Sequence, residues 1–122
     1  MMNTLLWTMQ AMLAFVFLAH GLLFLFPSKA MRKIKEQSPF PAGLMQLIYV
    51  AEVLAPFGLI LPGLTGLLPW LTPLAAAGLV PIMCGAVPFH LSRGEVPPTV
   101  ITAVLLALAA FVAYARWFAL PL

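Results

Sequence analysis

Charged side chains are scarce in this sequence: 7% of its 122 residues, against 64% hydrophobic, where a soluble domain carries about a quarter. A water-soluble monomer cannot cover its surface with so few charges. Cysteine is nearly absent, and the lone Cys84 excludes an intramolecular disulfide, a C-x-x-C dithiol centre and a zinc site built on such a pair. The basic residues are few and unevenly placed, four of the six (Lys29, Arg32, Lys33 and Lys35) falling in one short stretch. The net charge of +3 therefore reads as a topology signal. Basic residues interleaved with aromatics are missing, so no nucleic-acid partner is expected. A basic region ahead of the first apolar run is missing too. The run from Leu5 to Phe26 also outlasts the apolar core of a secretory signal, and it is read as a retained helix.

What the sequence has is long apolar runs. A spanning helix needs about 20 apolar residues to cross a hydrocarbon core of about 30 Å, and the chain has room for four. The runs place them at about residues 3–26, 42–61, 71–91 and 98–118. The expected fold is all-α, a polytopic membrane four-helix bundle with short loops, forming one transmembrane domain over residues 1–122. Pro27-Ser28 ends the first span. Lys29, Arg32, Lys33 and Lys35 then recur at near-helical spacing beside Met31 and Ile34, as in an amphipathic segment lying on a membrane surface, until Ser38-Pro39 breaks it. Pro62-Gly63 is expected to stop the second span, with Leu64-Thr65-Gly66 as a tight uncharged turn.

Orientation follows from the basic residues. Loops 1 and 3 share a face and hold five of them, while the opposite face has only Arg116 beside the terminal amine. Both termini are therefore expected outside the cytoplasm. Trp7, Trp70 and Trp117 fit an interfacial belt at that outer face. Close helix approach in a bilayer relies on small residues, and three sets offer it: Ala14 with Gly21, Gly78 with Gly85, and Ala103, Ala107 and Ala110 leading to Tyr114.

Few polar residues interrupt the spans, and Glu52 is the only acidic one. A carboxylate at that depth costs several kcal/mol unless it is paired, neutral or hydrated, so it should face the bundle. Gln46 and Tyr49 precede it at steps of three, and Pro56 removes the N–H that would bond the carbonyl of Glu52. Pro81 and Pro88 free the carbonyls of Ala77 and Cys84 in the same way. Counting back from the loop ends, His90 lies about 2 Å deep, His20 about 9 Å and Glu52 about 15 Å.

These residues suggest a polar pocket opening from the cytoplasmic half, with His20, Gln46, Tyr49, Glu52 and His90 as its candidates. Glu52 would serve there as proton acceptor or hydrogen-bond partner for a lipid-soluble ligand such as a quinone. The plainer alternative is a structural bond between helices that pairs Glu52 with His20. Two histidines on different helices also raise haem or a metal, but their unequal depth speaks against haem, and no metal site is expected. Lys29, Arg32, Lys33, Lys35, Arg93 and Arg116 are read as lipid-interface and topology residues. Arg116 would snorkel to phosphates or cap the last carbonyls of its helix, and Arg93 would make an exposed pair with Glu95.

Several segments in order resemble the DoxX-like membrane proteins. They are Phe17-Leu18-Ala19-His20-Gly21, Ala51-Glu52-Val53-Leu54-Ala55, Gly58 to Leu64, Leu68 to Ala76, His90-Leu91-Ser92-Arg93-Gly94-Glu95, and Ala113-Tyr114-Ala115-Arg116. The resemblance covers nearly the whole chain and implies a four-helix protein of the bacterial inner membrane. The family takes its name from a subunit of a thiosulfate:quinone oxidoreductase, though most members have no assigned activity. A common family pattern has lysine three positions after the glycine of the first helix. This chain has Phe24 there, with Lys29 or the basic loop as a possible substitute.

Three functions are compatible with these features. The first is an accessory or cofactor-binding membrane subunit linked to quinone redox chemistry, with a protein partner or a second copy of itself. The second is a membrane enzyme acting on a lipid-soluble substrate through Glu52 and His20. The third is a structural bundle or small transporter component. The residues leave open whether the protein is an enzyme.

Overall fold

A computed structural model describes all residues, Met1 to Leu122. Five α-helices follow one another: α1 (Met2–Leu25), α2 (Lys29–Glu36), α3 (Ala42–Thr65), α4 (Leu71–Ser92) and α5 (Val96–Tyr114), the last continued by a π turn, Ala115–Ala119. There is no strand. Four helices are long and apolar enough to span a bilayer, α5 together with its π turn; 24 residues at 1.5 Å each reach about 36 Å. Only 21 of the 122 residues are buried, and the outward faces carry apolar side chains such as Phe15, Leu47, Leu54, Leu74 and Val104. Helices apolar all round, with so little shielded from their surroundings, are those of a multi-pass membrane protein.

The spans form a ring in which α1 lies along α3, α3 packs on α4 and α4 lies along α5, while α1 and α5 meet over a short seam. The core is displaced towards one end. Leu6 and Leu13 of α1, Leu59 of α3, Ala76 and Leu79 of α4, and Ala109 and Val112 of α5 are all buried. All belong to the half of the bundle that holds the termini and the α3 to α4 turn. The other half, beside α2 and the α4 to α5 loop, encloses a cavity.

Two glycines set the helix spacing. A Cβ built on Gly21 of α1 would lie 2.8 Å from Val53 and 3.1 Å from the Tyr49 carbonyl, and one on Gly58 of α3 would lie 2.9 Å from Ala75 of α4. The other small-residue stripes do not pack as expected. Ala103, Ala107, Ala110 and Tyr114 are exposed, nothing lies near Gly78 or Gly85, and α5 instead buries Ala109 and Val112.

The second span does not stop at Leu61. It runs through Pro62 and Gly63 to Thr65, because a donor from the neighbouring helix compensates the bond that the proline removes. Pro62 cannot bond the carbonyl of Gly58, and the Thr72 hydroxyl of α4 donates to that carbonyl at 2.9 Å. Gly66, with φ of 75°, then ends the helix, its N–H donating to the Pro62 carbonyl at 2.8 Å. Trp70 and Trp117 are exposed, but Trp7 packs on Gly63 inside the bundle.

Candidate functional site

The site begins with the close approach that Gly21 permits. His20 is the residue before it on α1 and Glu52 faces it from α3, and the two side chains meet with Nδ1 and Oε2 2.7 Å apart across 32 residues of sequence. Glu52 is 3% exposed, whereas the His20 side chain is half exposed. With Glu52 ionised, the imidazole N–H at Nδ1 donates to it, which fixes the ring and leaves Nε2 for another partner. Tyr49 is one turn from Glu52 and buried. Phe24 stacks on the Tyr49 ring at 5.0 Å and also lies against the His20 ring at 4.7 Å.

These residues line a cavity of about 540 Å³. Val16 and Phe17 of α1, Met83 and Ala86 of α4, and Ile101 and Leu105 of α5 supply much of its apolar wall. Ile34, Gln37, Ser38 and Phe40, from α2 and the chain after it, close one end. Its size and balance of many apolar walls against a few polar groups are those of sites for small organic ligands, which run to about 300–1,000 Å³.

α2 is held over this cavity by Lys35. The Nζ of Lys35 donates to the Phe24 carbonyl at 2.7 Å and lies 5.3 Å from the Tyr49 ring centroid. The cation thereby caps an orphan carbonyl of the last turn of α1, where the helix dipole favours it. Position 24 holds phenylalanine where the family resemblance leads to lysine, yet an ammonium reaches this place from Lys35. Lys29, Arg32 and Lys33 remain exposed on the outer side of α2.

Two candidates do not join the site. Gln46 is exposed on the outside of α3, because a three-residue step turns a helix by about 300° and two such steps carry it about 120° away from Glu52. His90 forms its own cluster at the loop end, 3.1 Å from the Glu95 carboxylate, which Arg93 also approaches at 3.5 Å. Each histidine thus has its own carboxylate, and the two do not converge on one point. Arg93 lies over the Phe89 ring at 5.3 Å and, with Glu95, borders the cavity.

Arg116 is 2% exposed and does not snorkel. Its Nε donates to Gln10 at 2.7 Å, and its Nη1 donates to Asn3 at 2.8 Å and to the Leu120 carbonyl at 3.0 Å. Gln10 in turn donates to the Leu59 carbonyl at 2.6 Å. This buried network fastens α1, α3 and the π turn at the end opposite the cavity. Sequence reasoning missed it, since Gln10 is a single uncharged polar residue in an apolar run. Its one signal was the spacing Leu6, Gln10, Leu13, Phe17, which puts the amide on the buried face of α1.

The model of the DoxX-like family matches residues 8–112, a range that holds His20, Tyr49, Glu52 and every wall of the cavity. No curated protein and no solved structure matches the chain.

Proposed function

The chain belongs to the DoxX-like family, and from that premise we propose that it is an accessory membrane subunit whose cavity binds a quinone-like ligand. The observation that carries this reading is the contact of 2.7 Å between His20 and the buried Glu52 on the wall of a mainly apolar cavity of about 540 Å³. A quinone ring is flat and apolar with carbonyl oxygens at its edge. It needs aromatic and aliphatic walls, here Phe17, Phe24 and Met83, and a donor placed among them.

His20 supplies that donor through Nε2. As a ligand carbonyl takes the Nε2 proton, a proton held on the Glu52 carboxyl moves to Nδ1, so the ring stays neutral and the negative charge is left on Glu52. Electrons come from a partner redox protein, which is why the role is that of a subunit. We place α2 and the α4 to α5 loop on the cytoplasmic side of a bacterial inner membrane, where Lys29, Arg32 and Lys33 meet anionic lipid.

The test is mass spectrometry of small molecules extracted from the protein purified in mild detergent, comparing wild type with Glu52→Gln and His20→Ala. A quinone bound near one per chain in the wild type and lost in both variants supports the reading. Bulk phospholipid alone, with both variants folded, leaves the His20 and Glu52 contact as a bond between helices and nothing more.

A further inference from the structure

We propose that the cavity opens sideways into the bilayer between α1 and α5, and that its ligand is a long-chain amphiphile whose ring or carbonyl head is held at His20 while its hydrocarbon chain leaves through this seam. The inference rests on the binding reading above and names the class of ligand and its route. It begins with the unequal closure of the ring. At the far end the seam is locked, because Arg116 reaches from the π turn after α5 to Gln10 and Asn3 of α1, with Leu6 and Leu13 buried against the core that holds Ala109 and Val112.

Towards the cavity that closure ends. No residue of α5 before Ala109 is buried, and Ile101, which lines the cavity, is 56% exposed. Opposite it on α1, His20 is half exposed although its partner Glu52 is buried. The end of the cavity beyond α1 is covered by α2, which Lys35 pins to the Phe24 carbonyl, so the seam is the gap that faces hydrocarbon. A chain lying there stays in surroundings as apolar as the bilayer and has no cost of entering water. A small polar ligand gains nothing from such an opening.

The test uses two probes in lipid nanodiscs: a dimethoxy-methyl-benzoquinone without a side chain, and the same ring carrying a decyl chain. Binding is expressed per mole fraction in the bilayer for wild type, Ile101→Trp and Ile101→Ala. A bulky indole at position 101 narrows the seam without touching His20 or Glu52. The expected result is that Ile101→Trp weakens the decyl probe roughly tenfold, through the steric cost of a bulky ring crowding the chain. The chainless ring should be weakened less, and Ile101→Ala, which removes bulk from the seam, should not weaken the decyl probe more than the ring. Retained binding of the chainless ring also shows that the variant is folded.

Equal weakening of both probes by Ile101→Trp, or no weakening of either, overturns the seam as the route. If neither probe binds the wild type, the binding reading itself fails and this inference with it.

Discussion

At the scale of the residue, the central fact is a carboxyl 3% exposed inside a bundle surrounded by lipid, with a single imidazole 2.7 Å away. Breaking such a pair from one side leaves an uncompensated polar group, whereas changing both sides together removes the need for compensation. His20→Ala and Glu52→Leu are therefore expected to be non-additive. A double-mutant cycle on unfolding in detergent should give a coupling of about 1–3 kcal/mol, and additive losses would show that the two groups do not interact. Arg116 makes a second residue-scale case. Lysine cannot reproduce a planar fork that serves Gln10, Asn3 and Leu120 at once, so Arg116→Lys should destabilise by about 1–3 kcal/mol although charge is kept. Unchanged stability would mean that charge alone suffices there. The Glu52 part of this was legible in the sequence, since a lone acid in an apolar span has few tolerable places. The Arg116 part was not, because its partners stand 106 and 113 positions away in the chain and no periodicity links them.

At the scale of the element, the site depends on how closely α1 approaches α3. Gly21→Val adds atoms where a Cβ alone would already meet Val53 at 2.8 Å and the Tyr49 carbonyl at 3.1 Å. It should cost about 1–3 kcal/mol and part His20 from Glu52, whereas Gly78→Ala, with nothing near it, should be neutral or slightly stabilising. Thermal unfolding of the two variants separates a glycine needed for contact from one that is not. Thr72→Val keeps the shape of the side chain but strips the Gly58 carbonyl of its donor, and should cost about 1–3 kcal/mol; a smaller loss would mean that Pro62 is tolerated without help. This helix shows where sequence reading stops. Pro62-Gly63 is a sound local stop signal, and only the position of Thr72 on another helix overrides it. The same holds for Ala103, Ala107 and Ala110, whose spacing marks a face without saying whether protein or lipid covers it.

At the scale of the whole molecule, the bundle is divided into a packed half and a hollow one. The core and the Arg116 network hold the end with the termini, and the cavity occupies the end with α2 and the α4 to α5 loop. Four apolar runs and one basic stretch sufficed to read the spans and the amphipathic helix. The cavity was legible only as a depth argument bringing His20 near Glu52, because its volume depends on which side chains are absent between helices. The orientation of the whole has its own check. In a Cys84→Ala background, a membrane-impermeant thiol reagent applied to intact cells should label Leu122→Cys and spare Lys33→Cys, and the reverse pattern would invert the topology. The most direct test of the proposed quinone site is photolabelling with a benzoquinone that carries a photoreactive group on its ring, followed by peptide mapping. Adducts confined to the cavity-lining segments, residues 16–24, 44–52, 81–89 and 98–105, and lost on Glu52→Gln, are the predicted result. Adducts spread over the outer faces of α3 and α4, or unchanged by the substitution, would contradict a quinone site at His20 and Glu52.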